Sequence, residues 1–406
     1  MSVGLNPPAV LSIVKGVCLA TTAAGIKYPE REDMVLITLS EASTVAGVFT
    51  QNKFCAAPVT LAKQNLQCGA IRALLINSGN ANAGTGSQGM DNALSSCAKV
   101  AQQLSLRPEQ VLPFSTGVIG EQLPMAEMSA GINQLVNKGI EDNWLAGATA
   151  IMTTDTVAKA VSHTLYLDGQ LITITGIAKG SGMICPNMAT LLSYVATDAA
   201  VDNVTLQAML DRATEASFNR ITVDSDTSTN DALILMATGE VGNREINSLA
   251  DPRAEQLYWA IEKVLISLAT SVIRDAEGAS KFVKIEIVNS NSVADAKSIA
   301  YSVAHSPLVK TALFASDPNW GRLLMAVGKA DVETLDISAM NLSINGVALI
   351  ENGEPAATYT EAAGKQVFLQ SEIEIEIDLN AGDQSFHVWT SDLSHDYVSI
   401  NADYRS

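Results

Sequence analysis

The chain is poor in charge, in aromatics and in metal-binding side chains, and each shortage removes a class of explanation. Of 406 residues, 17% are charged and 5% aromatic, against 47% hydrophobic. Such a composition supports a large apolar core and is unlike that of a disordered chain. The length allows one large domain or two ordinary ones. Basic residues are scarce: 25 Lys plus Arg stand against 43 Asp plus Glu, a formal net charge of −18. That field repels phosphate backbones and anionic lipid, so neither nucleic acid nor membrane is an expected partner. It also means that a carboxylate substrate requires cations placed locally against the global field. Cysteine is rare: Cys18, Cys55, Cys68, Cys97 and Cys185 contain no Cys-x-x-Cys pair. Neither a disulfide framework nor a zinc site is expected, and a reducing cytoplasm fits. The four histidines are scattered without metal-ligand spacing, so no metal is expected. No apolar run reaches the length of a membrane span. The apolar patch over residues 10–19 is interrupted by Lys15 and follows no basic segment, which is unlike a signal peptide.

What is present is a mixture of strands and helices without strict alternation. Leu165-Tyr166-Leu167 and Leu171-Ile172-Thr173-Ile174 flank Asp168-Gly169, a hairpin signal, and Asn345-Gly346 sits likewise between two apolar runs. Ile373, Ile375, Ile377 and Leu379 alternate with acidic residues, as Val283, Ile285 and Ile287 alternate with Lys284 and Glu286. Apolar spacings of three and four predict a helix over 253–275, with further helices over 204–216, 122–138 and 92–105. The expected class is α+β, with mixed, largely antiparallel sheets layered with helices. An ordinary domain boundary near 275–285 is only weakly marked.

The most informative stretch is Lys179-Gly180-Ser181-Gly182-Met183-Ile184-Cys185-Pro186-Asn187-Met188-Ala189-Thr190. A strand-like run, 172–177, leads into glycine-rich backbone that can take strained shapes. Small Ala189 leaves the carbonyl before Thr190 open to the Thr190 hydroxyl. Attack there converts the peptide to an ester; hydrolysis then frees Thr190 as a new N-terminus. Its α-amine, with an ordinary pKa of about 7.7–8.0, is a base at neutral pH. One residue would supply nucleophile and base. On spacing alone, a threonine in such a turn is far more often a hydrogen-bonded structural residue than a nucleophile.

This segment resembles the processing site of the ornithine acetyltransferases, also called glutamate N-acetyltransferases, of arginine biosynthesis. The resemblance covers nearly the whole chain. It includes Asn77-Ser78-Gly79-Asn80-Ala81-Asn82-Ala83, Ser115-Thr116-Gly117-Val118-Ile119-Gly120, Met152-Thr153-Thr154-Asp155-Thr156, Ser217-Phe218-Asn219-Arg220-Ile221-Thr222-Val223-Asp224, Thr227-Ser228-Thr229-Asn230-Asp231, Asp317-Pro318-Asn319-Trp320-Gly321-Arg322 and the C-terminal Asp396 to Ser406. It implies an N-terminal-nucleophile-type acetyltransferase fold, cut between Ala189 and Thr190 into an α chain, 1–189, and a β chain, 190–406. The chains would pair and then dimerise as (αβ)2. Thr190 would be the nucleophile, and Thr116 with Gly117 would form the oxyanion site. Thr153, Lys179, Thr190, Glu277, Asn401 and Ser406 would bind substrate. The implied reaction moves acetyl from N2-acetyl-L-ornithine to L-glutamate through acetyl-Thr190, without metal or organic cofactor. Acetyl-CoA would enter as co-substrate in a bifunctional member. The rival readings are an N-terminal-nucleophile aminopeptidase or amidohydrolase, and a non-enzymatic amino-acid-binding protein on a fold that has lost processing.

Local physics bears on some of these residues. A hydroxyl beside a flexible backbone N–H, as at Thr116-Gly117, can hold developing negative charge. Lys179 is the one cation beside Thr190 in sequence, suited to an α-carboxylate or simply to a solvated turn. Glu277 follows the strongest helix, where a carboxylate opposes the macrodipole. Arg220 and Arg322 suit buried ion pairs as well as a site. Cys185 stands where the family usually has histidine, and His395 where it often has tyrosine.

Overall fold

The computed structural model describes residues 2–6, 10–137, 143–185 and 191–402. Two sheets lie face to face. The first has four strands in the order Val17–Thr22, Met34–Leu39, Ala73–Asn80 and Val111–Val118. Its pairings are antiparallel except the last, which is parallel. The second has five strands in the order Thr44–Phe49, Ala232–Ala237, Leu192–Thr197, Gln170–Lys179 and Lys159–Leu167. Only Ala232–Ala237 and Leu192–Thr197 run parallel in it. Between the sheets Leu19, Ile37 and Phe114 pack with Ile177, Tyr194 and Ile234. Phe114 meets Tyr194 edge to face with ring centres 5.3 Å apart, an arrangement aromatic quadrupoles favour.

Helices close both outer faces. Gly86–Leu104 and Met125–Asn137 cover the first sheet through Cys97, Val100, Met128 and Ile132. Asn203–Ala216 and Pro252–Arg274 cover the second through Leu206, Met209, Leu257, Val264 and Leu268. The result is four layers, helix, sheet, sheet, helix, and the expected α+β class with largely antiparallel sheets is what the chain forms.

Pro252–Arg274 shows why the sequence dictates this. The Asp251 side chain caps its start by accepting from the Arg253 N–H, and Pro occupies the first turn, where no N–H is needed. Its buried residues recur at three and four, so one stripe faces the core. Each fully buried Leu or Ile there is worth about 1.5–3 kcal/mol. The helices match the predicted spans closely, except that Gly86–Leu104 begins six residues before the predicted 92. Its first turn is glycine, serine and glutamine, which carry no apolar period. Both hairpins form as read: Asp168-Gly169 and Asn345-Gly346 take positive φ at both positions, linking Leu167 to Gln170 and Ile344 to Val347.

A third, seven-stranded sheet holds Phe282–Ser290, Glu372–Asp378 and Gln384–Ser391 with four shorter strands. Its helices, among them Val293–Ala304 and Pro307–Ala315, enclose a separate core of Ile285, Ile299, Leu342 and Ile375. This unit begins at Phe282, inside the weakly marked 275–285 interval. Glu372–Asp378 alternates exposed and buried residues, as its sequence predicts. The short strand Ile221–Thr222 pairs with Trp389–Thr390 and joins this sheet to the layered body. The described part of the C-terminal segment forms a helix, His395–Ala402, whose Tyr397 and Asn401 bond back to the body.

Candidate active site

The cleft gathers residues from seven separated segments. Thr116 and Gly117 end the strand Val111–Val118. Gly117 has φ +134°, and a Cβ there would stand 2.3 Å from the Gly79 carbonyl carbon and 2.5 Å from the Asn80 nitrogen. Only glycine allows that approach of two backbones. The asparagine-rich motif explains how the approach is held. Asn77 Nδ2 donates to the Asn80 carbonyl at 2.9 Å, and the Ser115 hydroxyl donates to Asn77 Oδ1 at 2.7 Å. Asn230 Nδ2 donates to the Ala81 and Ser115 carbonyls at 2.7 and 2.9 Å. Buried amides of two motifs thus tie three segments together.

Lys179 ends the strand Gln170–Lys179 and is buried, with Nζ 3.4 Å from Thr116 Oγ1. Burial pushes its ammonium pKa down, while the Asp155, Glu277 and Asp231 carboxylates oppose that and Lys159 adds to it. Glu277 is buried in the same cleft, beyond the end of Pro252–Arg274. Its N–H donates to the Ser181 carbonyl at 2.8 Å, and its Oε2 accepts from Asn401 Nδ2 at 2.7 Å. A Cβ on Gly182 would stand 2.3 Å from that same oxygen, so Gly182 makes room for the carboxylate. Thr116, Gly117, Thr153, Lys179, Glu277 and Asn401 line one cleft of about 590 Å³, including the solvent at its mouth. Ala189, Thr190 and Ser406 lie outside the described residues, as does the proposed cut.

A buried ion triad that the sequence reading did not single out supports this wall. Lys159, fully buried, lies 2.6 Å from Asp155 Oδ1 and 2.6 Å from Asp275 Oδ2. Asp155 also accepts from the Gly180 N–H at 2.7 Å and the Thr153 N–H at 3.0 Å. Burial alone would raise the Asp155 pKa; the Lys159 and Lys179 cations reverse that and hold it below the usual carboxylate range. Asp275 accepts from the Thr156 and Val157 N–H groups, at 2.9 and 3.2 Å, and from the Thr156 hydroxyl. The triad therefore sets the 153–157 loop, the start of the glycine-rich segment and the end of the long helix in one frame. A signal was available: Asp155 and Lys159 are four apart in an otherwise uncharged stretch.

Beyond the cleft, Asp224 accepts from the Met183 and Ile184 N–H groups at 2.6 and 2.9 Å and from the Tyr397 hydroxyl at 3.1 Å. Cys185 Sγ lies 3.8 Å from His305 Nε2, which also meets the Thr222 hydroxyl at 3.0 Å. Burial, with Asp224 and Asp226, pushes the Cys185 thiol up to about 11, so it is a packed thiol and not a thiolate. Burial with Lys310 and Lys329 brings His305 down to about 4. His395 opens the last helix and packs edge to face on Phe314. Neither arginine lines the cleft: Arg220 lies over Phe386 and meets His387, and Arg322 donates to the Leu308 carbonyl.

A second cavity, of about 730 Å³ with its open mouth, shares Gly117, Thr153 and Thr154 with the cleft and is bounded by Lys27, Tyr28 and Arg31. The Arg31 guanidinium donates to the Met152 and Thr153 carbonyls at 2.5 and 3.4 Å, bracing the loop between the two spaces. Among the described residues no group of three His, Cys, Asp or Glu is placed to hold a metal. No described helix is long and apolar enough to cross a membrane.

A buried ammonium and a buried carboxylate lining one cleft with a threonine hydroxyl and a glycine suit a small zwitterionic amino acid. The layered α+β body therefore presents the site of an amino-acid-modifying enzyme. The comparisons agree with that class: the ArgJ family matches residues 18–406, and this chain belongs to it. It is 50% identical over 406 residues, the whole of both chains, to the arginine biosynthesis bifunctional protein ArgJ of Pseudomonas fluorescens (strain Pf0-1). The ArgJ of Pseudomonas syringae pv. tomato is 49% identical, again over all of both chains. A crystal structure of ArgJ from Bacillus halodurans is similar at 33% identity and TM-score 0.48, over 50% of this chain and 95% of that one. An ornithine acetyltransferase from Mycobacterium tuberculosis, complexed with ornithine, matches at 33% identity and TM-score 0.37, over 43% of this chain and 93% of that one.

Proposed function

We propose that this protein is the acetyltransferase of arginine biosynthesis that moves acetyl from N2-acetyl-L-ornithine to L-glutamate, releasing L-ornithine and N-acetyl-L-glutamate. The observation that carries this reading is the full-length 50% identity to the bifunctional ArgJ protein. The convergence of Thr116, Gly117, Thr153, Lys179, Glu277 and Asn401 on one cleft supports the assignment of residues.

The chain cuts itself between Ala189 and Thr190, giving an α chain, 1–189, and a β chain, 190–406. The freed α-amine takes the Thr190 hydroxyl proton as Oγ1 bonds to the acetyl carbon. Thr116 Oγ1 and the Gly117 N–H hold the tetrahedral oxyanion. The carbon–nitrogen bond breaks, the ornithine nitrogen takes the proton, and acetyl-Thr190 remains. The glutamate amine then attacks the ester, and the proton returns to Oγ1. Lys179 receives the α-carboxylate, supplying locally the cation that a chain of net charge −18 otherwise lacks. Glu277, held by Asn401, faces the substrate amine; Thr153 and Ser406 complete the pocket. One pocket serves both amino acids in turn. Acetyl-CoA is the second donor, with its anionic portion toward Lys27 and Arg31 in the adjoining cavity. The enzyme works in the cytoplasm, and its α and β chains pair into (αβ)2.

Intact mass under denaturing conditions tests the scheme. Two chains split at 189/190 in wild type, and one uncut, inactive chain of 42.7 kDa in Thr190→Ala, are expected. An uncut, fully active Thr190→Ala protein sinks the mechanism. A native mass near twice 42.7 kDa checks the pairing.

A further inference from the structure

The C-terminal helix His395–Ala402 has eight residues, none of them fully buried. So short a helix is not stable alone in water, and it lacks the apolar stripe that usually holds a helix to its protein. Yet it walls both cavities: Asn401 lines the cleft and Ile400 lines the space beside it. Something other than a buried stripe must therefore seat it. Tyr397 is its one half-buried residue, the rest being exposed. The Tyr397 ring packs against the core formed by the second sheet and its covering helices. Its hydroxyl donates to Asp224 Oδ2 at 3.1 Å. Burial and the Asp224 charge push the Tyr397 pKa up, so the hydroxyl keeps its proton and remains a donor.

Asp224 is itself a fixed point. The same Oδ2 accepts from the Met183 N–H at 2.6 Å, and Oδ1 accepts from the Ile184 and Asp226 N–H groups at 2.9 and 3.3 Å. Met183 has φ +56°, a left-handed shape that is strained for a residue with a long side chain and needs such support. Gly182 and Met183 both line the cleft. The far end of the helix closes the circuit. Asn401 Nδ2 donates to the Tyr397 carbonyl at 3.0 Å and to Glu277 Oε2 at 2.7 Å. The start of the helix abuts the turn after Glu277: a Cβ on Gly278 would stand 2.6 Å from the Tyr397 nitrogen and 2.5 Å from Ser394 Oγ. Asp224, Met183, Gly182, Glu277, Asn401 and Tyr397 thus form one ring of contacts joining the helix to the cleft wall. Neither Tyr397 nor Asp224 lines either cavity.

We propose that Tyr397 is a positioning residue: its hydrogen bond to Asp224 seats the C-terminal helix so that Asn401 holds Glu277 in place for the amino-acid substrate. This rests on the substrate-binding role of Glu277 and Asn401 given above. The hydroxyl touches no substrate and takes no part in a bond that forms or breaks. It acts by keeping the helix seated. When the helix lifts, Glu277 loses the amide that orients its carboxylate, and the wall shared by the two cavities opens. Only the seated fraction binds well, so apparent affinity falls in proportion to that fraction. Both amino acids use the one pocket, so both feel the loss.

Tyr397→Phe is the direct test, because it removes one hydroxyl and keeps the ring on the core. Asp224 retains its bonds to the Met183 and Ile184 N–H groups. Steady-state kinetics with acetylornithine and glutamate are compared among wild type, Tyr397→Phe, Asn401→Ala and the double variant; circular dichroism checks folding. We expect KM for both substrates to rise about 10-fold in Tyr397→Phe, the scale of one hydrogen bond to a charged group, with kcat within about twofold. The double variant should be no worse than Asn401→Ala alone, because the hydroxyl acts through that amide. Unchanged KM, a fall in kcat alone, or effects that multiply in the double variant overturn the proposal. Hydrogen exchange read by mass spectrometry gives a measure apart from activity. The amides of 395–402 should exchange about 10-fold faster in Tyr397→Phe than in wild type, and ornithine should slow them in wild type. Equal exchange in the two proteins overturns the seating role. If wild type transfers no acetyl from acetylornithine, the proposed function fails, and the exchange comparison still decides whether Tyr397 seats the helix.

Discussion

Replacing Lys159 by methionine probes the frame of the site most directly. The ammonium is fully buried, 2.6 Å from a carboxylate on each side, Asp155 and Asp275. Methionine fills much the same space and leaves two buried carboxylates without their cation. Breaking a buried pair from one side costs about 3–5 kcal/mol. With about 2.1 cal/mol/K of unfolding entropy per residue, a 406-residue chain has roughly 0.85 kcal/mol/K at its midpoint. The melting midpoint should therefore fall by roughly 4–6 °C at neutral pH, read by differential scanning fluorimetry. The pH dependence has a definite sign. In wild type the lysines hold Asp155 below its ordinary pKa, a contribution present above the unfolded value and lost as pH falls through the folded one. In Lys159→Met the ammonium beside Asp155 is gone and burial remains, so the Asp155 pKa rises. The difference between variant and wild type should then shrink as pH falls below about 4, because the unfolded Asp155 protonates there and wild type progressively loses the contribution of its depressed carboxylate. Adding Asp155→Asn and Asp275→Asn should recover most of the loss, since a neutral buried set is tolerated. A midpoint shift under about 1 °C, or no recovery in the triple variant, would refute the reasoning.

Two further outcomes follow from the geometry. Gly117→Ala forces a Cβ against the Gly79 and Asn80 backbone and displaces the N–H proposed to hold the oxyanion. Turnover should fall about 10²–10³-fold, with the loss mainly in kcat; unchanged kcat would remove Gly117 from that role. Because burial pushes the Cys185 thiol up to about 11, iodoacetamide at pH 7.5 should label exposed Cys68 well before Cys185. Peptide mapping reads the order, and early labelling of Cys185 would contradict its packed environment.

Much of the local structure was legible because it rests on short-range physics. The hairpins at Asp168-Gly169 and Asn345-Gly346 follow from residues that tolerate positive φ. The spacing of Leu257, Ile261, Val264 and Leu268 predicts the long helix and its buried stripe. Where the period is silent, as in the glycine- and serine-rich first turn of Gly86–Leu104, the predicted boundary came too late. The cleft was legible only through the family's motifs. Glu277 and Asn401 lie 124 positions apart and touch, and no spacing rule predicts that contact.

By itself, then, the chain determined its apolar content, its acidic charge, its turns and periodic elements, and, by likeness, the residues to watch around Thr116, Thr153, Lys179, Glu277 and Asn401. Tertiary structure alone decided which polar groups share one buried space. Lys159 reads as an ordinary lysine until sheet and loop close over it with Asp155 and Asp275. Asp231 reads as one acid in a polar run until the parallel register places it against Leu191. The physical reason is that ionisation and hydrogen bonding depend on what excludes water and what stands within about 3 Å. Both are set by segments that meet only in the folded chain.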